Sequence, residues 1–222
     1  MFGGLHALLI DSDIKTNPAL AWYYIVLITA CVTAYLTRLY LVNWGIKSKK
    51  YIIDSISQPT PQTVKIVLRP KDKILACQAG QFIFISFDKL NRSEEHPFSI
   101  AGIADGKITI VAKVLGDFTK SLVELQVGEL AFIDGPYGSF GQLSKKLNRQ
   151  IWIAGGIGIT PFLSLAEDFV KNHRVDAKID LIYAVAKSDD FVDLEKLQQL
   201  SATCPQLQIR PHVSAEDRKS VV

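Results

Sequence analysis

The stretch Ile153-Ala-Gly155-Gly156-Ile-Gly158-Ile-Thr160-Pro161 runs from an apolar segment through three glycines into the expected start of a helix. Glycines let the backbone approach an anion because no Cβ stands in the way. The N-terminus of a helix offers free N–H groups and a partial positive charge to a phosphate. Pro161 suits the first helical turn, and Thr160 can cap it. The stretch therefore predicts a phosphate-binding turn between a strand and a helix, with a tight turn that binds nothing as the alternative.

The segments around this turn alternate between strand and helix patterns. Their order is strand, glycine loop, helix, strand, helix, strand. The predicted elements are Ile151–Ala154, Pro161–Lys171, Lys178–Ala184, Asp193–Ser201 and Leu207–Val213. Such alternation implies a parallel sheet with crossover helices, so residues 150–222 are predicted to form a partial parallel α/β domain.

Residues 50–147, which precede this domain, contain short β-rich runs separated by turn signals. The predicted strands are Tyr51–Ser57, Thr63–Arg69, Gln81–Phe87, Pro97–Ala101, Lys107–Val114 and Glu129–Asp134. Val64, Ile66 and Leu68 alternate onto one face, and Asp105-Gly106 is typical of a hairpin turn. Strands at this spacing predict a small antiparallel barrel.

The N-terminal region contains a long uncharged apolar stretch from Ala19 to Thr37. With the residues that follow, it is long enough for a helix across about 30 Å of hydrocarbon. We therefore predict a transmembrane helix over residues 19–44, with lipid as its partner and a buried core helix as the alternative. Residues 1–18 are expected to be the end of a preceding membrane helix and an outside loop. A basic excess beyond the span, at Lys47, Lys49 and Lys50, predicts a cytoplasmic side for the rest of the chain.

Composition excludes several classes of protein. The chain has 222 residues, which is room for one large or two small domains. Twenty-five Lys and Arg against 22 Asp and Glu give a net charge of +3, too small to argue for a nucleic-acid partner. The three cysteines, Cys31, Cys77 and Cys204, lie far apart. This spacing excludes a disulfide-stapled mini-fold, a zinc ribbon and an iron–sulfur cluster held by four cysteines of this chain.

Four further motifs carry little information alone but much in combination. They are Gly80-Gln81-Phe82, His96-Pro97-Phe98-Ser99, Lys113-Val-Leu-Gly116-Asp-Phe-Thr119 and Asp134-Gly135-Pro136-Tyr137-Gly138. Followed by the glycine stretch that ends at Pro161, they resemble the ferredoxin–NADP reductase superfamily, in its membrane-bound ferric reductase and NADPH oxidase branch. The resemblance runs from about His6 to Val213, nearly the whole chain. It implies an antiparallel flavin-binding β-barrel followed by a nicotinamide-nucleotide domain.

The resemblance also implies roles for individual residues. Pro97, Phe98 and Ser99 would line the isoalloxazine of FAD, with Phe98 against the ring and Ser99 near N5, which makes Phe98 and Ser99 the candidate catalytic residues. His96 stands where soluble members usually carry Arg. The residues implied for the flavin pyrophosphate are Lys113, Gly116 and Thr119, and those for the NAD(P)H pyrophosphate are Gly155, Gly156, Gly158 and Thr160. The alternatives are that Phe98 is a core residue and that Lys113 is a solvated strand end.

The implied activity is electron transfer from NAD(P)H through FAD to a haem or ferric acceptor, whose identity the sequence does not give. Lys187 and Ser188 could hold a 2′-phosphate, and no acid sits directly at the end of the second strand to take a ribose hydroxyl, which favours NADPH. Lys187 as plain surface is the alternative. His6 matches a histidine that binds haem in this branch, so a haem is expected in the intact parent protein only.

The resemblance ends before the family pattern does. The family continues with further strands, a Cys-Gly-Pro-like segment and a C-terminal aromatic residue, and the segment Asp217–Val222 does not continue the pattern. We expect a chain truncated at both ends, with further membrane helices missing. We also expect Asp217–Val222 to be a translated sequencing adaptor, because one reading frame of a common adaptor encodes it. The alternative function is a membrane-tethered flavin-binding fragment without catalytic activity.

Overall fold

The computed structural model describes residues 17–43, 48–90, 94–141, 147–172 and 177–214. The chain divides into two compact units, Met1–Lys47 and Ser48–Val222. The predictions for residues 1–16, including His6, and for Asp217–Val222 lie outside the described residues.

The first unit contains one long helix, α1 (Pro18–Asn43). Asn17 caps it, because its Oδ1 accepts hydrogen bonds from the backbone N–H groups of Ala19 (3.1 Å) and Leu20 (3.3 Å). The segment Pro18–Thr37 is long and apolar enough to cross a membrane, and none of it is buried. The helix is therefore where the sequence predicts it, and its passage through a membrane stays a prediction.

The second unit begins with a closed barrel of six antiparallel strands. These are β1 (Lys49–Thr60), β2 (Thr63–Pro70), β3 (Phe82–Phe87), β4 (His96–Ala104), β5 (Lys107–Lys113) and β6 (Leu130–Tyr137). Their order around the barrel is β1-β2-β5-β4-β3-β6. The predicted hairpin between β4 and β5 is confirmed, since Asp105 (φ +51°) and Gly106 (φ +76°) adopt the left-handed conformation that such a turn requires.

The alternation of side chains in β2 gives the barrel its two faces. Val64, Ile66 and Leu68 are buried in the core, as the sequence predicts. Thr63, just before them, and Lys65, between Val64 and Ile66, point to the outer face, because successive residues of a strand point to opposite sides. A short helix, α2 (Asp117–Ser121), follows β5.

The last part of the second unit is a three-stranded parallel sheet with two crossover helices. Its elements are β7 (Arg149–Gly155), α3 (Thr160–Lys171), β8 (Lys178–Val185), α4 (Leu194–Thr203) and β9 (Leu207–Val213), with strand order β7-β8-β9. Both helices cover one face of the sheet, where their apolar residues share a core with Trp152 and Leu181. On the other face of β7, Ile151 and Ile153 are each 70% exposed.

The start of α3 corrects one prediction. Residues Gly156–Ile159 already form a 3₁₀ turn, and Ile159 has helical dihedral angles (φ −65°, ψ −24°). Thr160 is therefore the first residue of α3, and its hydroxyl donates to the carbonyl of Ile157 at 3.1 Å. The prediction that Thr160 caps the helix is wrong, because the helical conformation begins before it. Pro161 does lie in the first turn.

The barrel and α3 pack directly against each other within the second unit. Ala79, Ala101 and Val111 of the barrel portion belong to the same apolar cluster as the buried face of α3. The backbone N–H of Gly80 donates to Ser164 Oγ at 3.2 Å. The barrel thus forms one wall of the space above the glycine turn.

Candidate functional site

The glycine turn lies at the carboxyl end of β7 and opens onto empty space. In the part of the chain that the structure describes, no atom lies within 4 Å of a Cβ built on Gly155, Gly156 or Gly158. Gly156 also has φ +49°, which favours glycine. Backbone N–H groups at the start of a helix are free to bind an anion. The turn therefore fits a phosphate that approaches the main chain closely.

A cleft of about 320 Å³ lies beside this turn. The nucleotide-domain residues that line it are Gly156, Ile157, Ala184, Val185, Ala186, Asp190, Val192 and Ser214, and the barrel residues are Thr60, Gln62, Thr63 and Lys113. It thus follows the carboxyl ends of β7, β8 and β9, where open parallel sheets bind their ligands. The barrel supplies its other wall.

The loop 186–193 forms one rim of the cleft, and buried contacts fix it. The phenol oxygen of Tyr183, which is fully buried, accepts a hydrogen bond from the backbone N–H of Val192 at 2.9 Å. Its ring packs edge-to-face on Phe191, with centroids 5.0 Å apart. Burial raises the pKa of Tyr183, so its phenol stays neutral. Asp190 Oδ2 accepts the backbone N–H of Lys187 at 3.2 Å.

Strand β4 presents its motif residues to two different sides. The register pairs Phe98 with Ile83, which is fully buried, so Phe98 lies on the inner face of the barrel and packs against its core. Ser99 pairs with Phe82 on the outer face. The ring of His96 stacks on Phe118 of α2 with centroids 3.6 Å apart.

The loop before α2 is organised by its own threonine. Thr119 Oγ1 accepts the backbone N–H groups of Leu115 (2.9 Å) and Gly116 (3.0 Å). None of the described residues has an atom within 4 Å of a Cβ built on Gly116, so the loop has room for a ligand there. The side chain of Phe118 contacts both His96 and Phe98, which brings this loop to the start of β4.

Comparison with known proteins identifies both domains. A family model for an FAD-binding domain matches residues 53–140, and one for an oxidoreductase NAD-binding domain matches residues 152–221. The chain belongs to the ferredoxin–NADP reductase superfamily. Its fold is similar to that of the ferredoxin–NADP⁺ reductase from Plasmodium falciparum, with a TM-score of 0.65 and 18% identity over 75% of this chain and 70% of that one.

Two curated relatives in this superfamily come from Arabidopsis thaliana. Ferric reduction oxidase 8, mitochondrial, is 29% identical over 145 residues, 59% of this chain and 20% of the relative. Respiratory burst oxidase homolog protein E is 28% identical over 155 residues, 58% of this chain and 16% of the relative. The chain thus spans about a fifth or less of the length of these relatives.

Among the residues expected to bind cofactors in this superfamily, the structure brings together two sets. Gly155, Gly156 and Gly158 form the open turn, and His96, Gly116 and Thr119 surround the α2 loop. Lys113, expected at the flavin pyrophosphate, lines the cleft beside Gly156. Lys187 is exposed. The cofactor contacts of all these residues, and of Pro97, Phe98, Ser99 and Thr160, stay predictions.

Sequence reasoning missed two features of the reductase fold. One is an outer-face aromatic cluster of Phe82, Phe84 and Tyr137, with ring centroids 5.8 Å apart. Phe82 and Phe84 alternate with the buried Ile83, which is the signal that could have placed them beside Ser99. The other is Asp190 on the cleft, which the sequence marks only by its position shortly after β8. Within the described residues, no group of three or more His, Cys, Asp or Glu could hold a metal ion.

Proposed function

We propose that this chain is the electron-transferring part of a membrane-anchored flavin oxidoreductase, which passes electrons from a reduced nicotinamide nucleotide through FAD to a haem or ferric acceptor. The observation that carries the proposal is the open glycine turn of Gly155, Gly156 and Gly158 at the mouth of a cleft walled by the FAD-binding barrel. A turn of this kind binds a diphosphate, and a cleft between two domains holds a second ligand against the first.

Different residues would bind each of the two ligands, the nicotinamide nucleotide and FAD. The amides of the glycine turn would bind the nucleotide pyrophosphate, with the Lys113 ammonium as its counter-charge across the cleft. The amide of Gly116 would face the flavin pyrophosphate. Ser99 would orient the ring edge through its hydroxyl, which has no hydrogen bond to another described residue. When bound, FAD would take a hydride from the nicotinamide and release electrons singly to the acceptor.

The cleft favours NADH over the NADPH expected from the sequence. Asp190 lines the cleft, and Lys187 of the same loop is exposed. A carboxylate accepts a ribose 2′-hydroxyl but repels a 2′-phosphate. We therefore propose Asp190 as the group that selects NADH. Titration of the chain with both nucleotides tests this, and tighter binding of NADPH than of NADH would contradict it.

The membrane part of the proposal rests on α1 and on the relatives. Pro18–Thr37 is an exposed apolar helix of membrane-spanning length. The two plant relatives are named as a ferric reduction oxidase and a respiratory burst oxidase homolog. We place the chain in the cell membrane with both nucleotide-binding domains on the cytoplasmic side. Recovery of the chain in the carbonate-washed membrane pellet is the expected result, and release into the wash would contradict it.

An absorbance spectrum tests the whole proposal. The detergent-purified chain is mixed with FAD, freed of excess flavin and titrated with NADH under anaerobic conditions. Retained flavin bands that bleach with NADH support the oxidoreductase. Retained bands that do not bleach favour the alternative, a flavin-binding fragment without turnover. A colourless chain contradicts both. A haem Soret band is expected only in membranes that contain the intact parent protein.

A further inference from the structure

An ion pair joins the barrel directly to the nucleotide domain beside the cleft. Lys65 Nζ of β2 lies 2.6 Å from Asp193 Oδ2, and the two side chains are only 23% and 16% exposed. Asp193 ends the rim loop 186–193 and immediately precedes α4, with φ +51°. A partly buried pair is less screened by solvent than a surface pair.

The two ends of this pair lead to opposite walls of the cleft. On the barrel side, Lys65 lies two residues after Thr63 on the same outer face of β2, and Thr63 lines the cleft. On the other side, Val192 and Asp190 line the cleft just before Asp193. The Lys65–Asp193 contact therefore connects the two walls at this rim of the cleft.

Among the described residues, the hydrogen bonds of the rim loop other than the one to Lys65 come from its own domain. Tyr183 accepts the N–H of Val192, and Asp190 accepts the N–H of Lys187. These bonds shape the loop but do not hold it against the barrel. Lys65 connects the loop to the barrel, since its ammonium group, on a strand of the barrel, contacts the carboxylate of Asp193.

We propose that Lys65 and Asp193 are positioning residues for the nicotinamide nucleotide: their ion pair holds the rim loop, and with it Asp190, at the width that the nucleotide needs. This rests on the proposed function of the cleft. The pair touches neither ligand and acts through the loop. Its loss is expected to weaken nucleotide binding while leaving the FAD site intact.

The test compares Lys65→Gln, Asp193→Asn and the double variant in the full chain loaded with FAD. Asn tolerates the left-handed conformation at residue 193. The dissociation constant of NADH is measured by titration, and the melting temperature and FAD affinity are measured alongside. Both single variants are expected to bind NADH about three- to tenfold more weakly. The double variant is expected to be no weaker than the worse single one, because both changes remove the same contact.

Two control variants separate positioning from general stability. Lys107→Gln breaks the Lys107–Asp54 pair (2.8 Å), which lies within the barrel, and is expected to leave NADH binding unchanged. Lys65→Arg keeps the charge and is expected to behave as the wild type. Equal NADH affinity in the wild type, Lys65→Gln and Asp193→Asn, whatever their melting temperatures, would overturn the proposal.

Hydrogen exchange decides the inference independently of the proposed function. In the nucleotide-free chain, the amide of Val192 is expected to exchange at least about threefold faster in Lys65→Gln than in the wild type, because its bond to Tyr183 opens more often. Unchanged exchange overturns the positioning role. A wild-type chain that binds neither NADH nor NADPH refutes the function proposed for the cleft. In that case the exchange rate of Val192 still shows whether Lys65 holds the loop.

Discussion

Gly158→Ala separates the stability of the glycine turn from its capacity to bind a ligand. Gly158 is exposed, lies in the 3₁₀ turn Gly156–Ile159 and does not have a positive φ. A Cβ there meets no atom of the described residues within 4 Å, so the substitution creates no clash with them. Alanine is better than glycine in a helical turn by about 0.5–1 kcal/mol. The melting temperature should therefore stay the same or rise by about 1–4 °C.

Nucleotide binding should change in the opposite direction. If a phosphate approaches the main chain at Gly158, the new methyl group occupies its place and costs at least one hydrogen bond to a charged group. Such a bond contributes about 1.5–3 kcal/mol, which corresponds to a roughly 10- to 100-fold rise in the dissociation constant of NADH. Calorimetric titration of the FAD-loaded chain measures this change, and differential scanning calorimetry measures the stability.

Gly116→Ala is the reciprocal control, because a Cβ there also meets no atom of the described residues within 4 Å but lies in the α2 loop. It should weaken the binding of FAD and leave the binding of NADH unchanged. A Gly158→Ala chain that is as stable as the wild type and binds NADH equally well would refute the assignment of the open turn to a pyrophosphate.

Three other predictions concern groups outside the open turn. Gly80→Ala should lower the free energy of unfolding by about 3 kcal/mol in denaturant titrations. The reason is that φ is +82° and the new Cβ would lie 2.7 Å from the backbone nitrogen of Gly141. A loss below about 1 kcal/mol would contradict this prediction. Tyr51→Phe should cost about 1–3 kcal/mol in the same assay, since the phenol oxygen accepts the N–H of Leu75 at 2.9 Å in the core; unchanged stability would show that water replaces the acceptor. Burial raises the pKa of Cys77 to about 11, so alkylation by iodoacetamide should be slow at pH 8 and accelerate up to pH 11. The same shift makes the folded state less stable as the pH rises from 9 to 11, because the unfolded thiol ionises first; a rate that levels off below pH 9 would contradict the shift.

Hydrophobic patterning predicts most of the fold of this chain. Strand β9 has the bounds that the sequence predicts, and β2 and β8 differ by one residue at one end. In all three strands the apolar residues alternate with more exposed ones, which gives each strand a more buried side. The start of α3 is less predictable, because a 3₁₀ turn through Gly156–Ile159 leaves no sequence signal that distinguishes it from a loop.

The candidate site is less predictable than the fold, because it depends on which face of a strand each residue occupies and on which loops meet. The order of motifs indicates the two ligands but does not show that Phe98 lies inward while Ser99 lies outward. It also gives no sign that Lys113 and Asp190 line the same cleft, because these two residues are 77 positions apart in the chain. Such proximity arises from the packing of the barrel on α3.

The glycines show most directly what separates a packing motif from a binding motif. Gly80 and Gly141 are filled positions, where a side chain would collide with backbone of the neighbouring loop at 2.7 Å and 2.4 Å. Gly158 is an open position in a helical turn, where none of the described residues has an atom within 4 Å of a new Cβ. Glycine in an exposed helical turn costs stability relative to alanine. A compensating reason must therefore come from outside the chain, and a ligand that needs to approach the backbone supplies it. Gly158 is for that reason stronger evidence for a bound nucleotide than Gly80 and Gly141 are, although all three belong to equally recognisable sequence motifs.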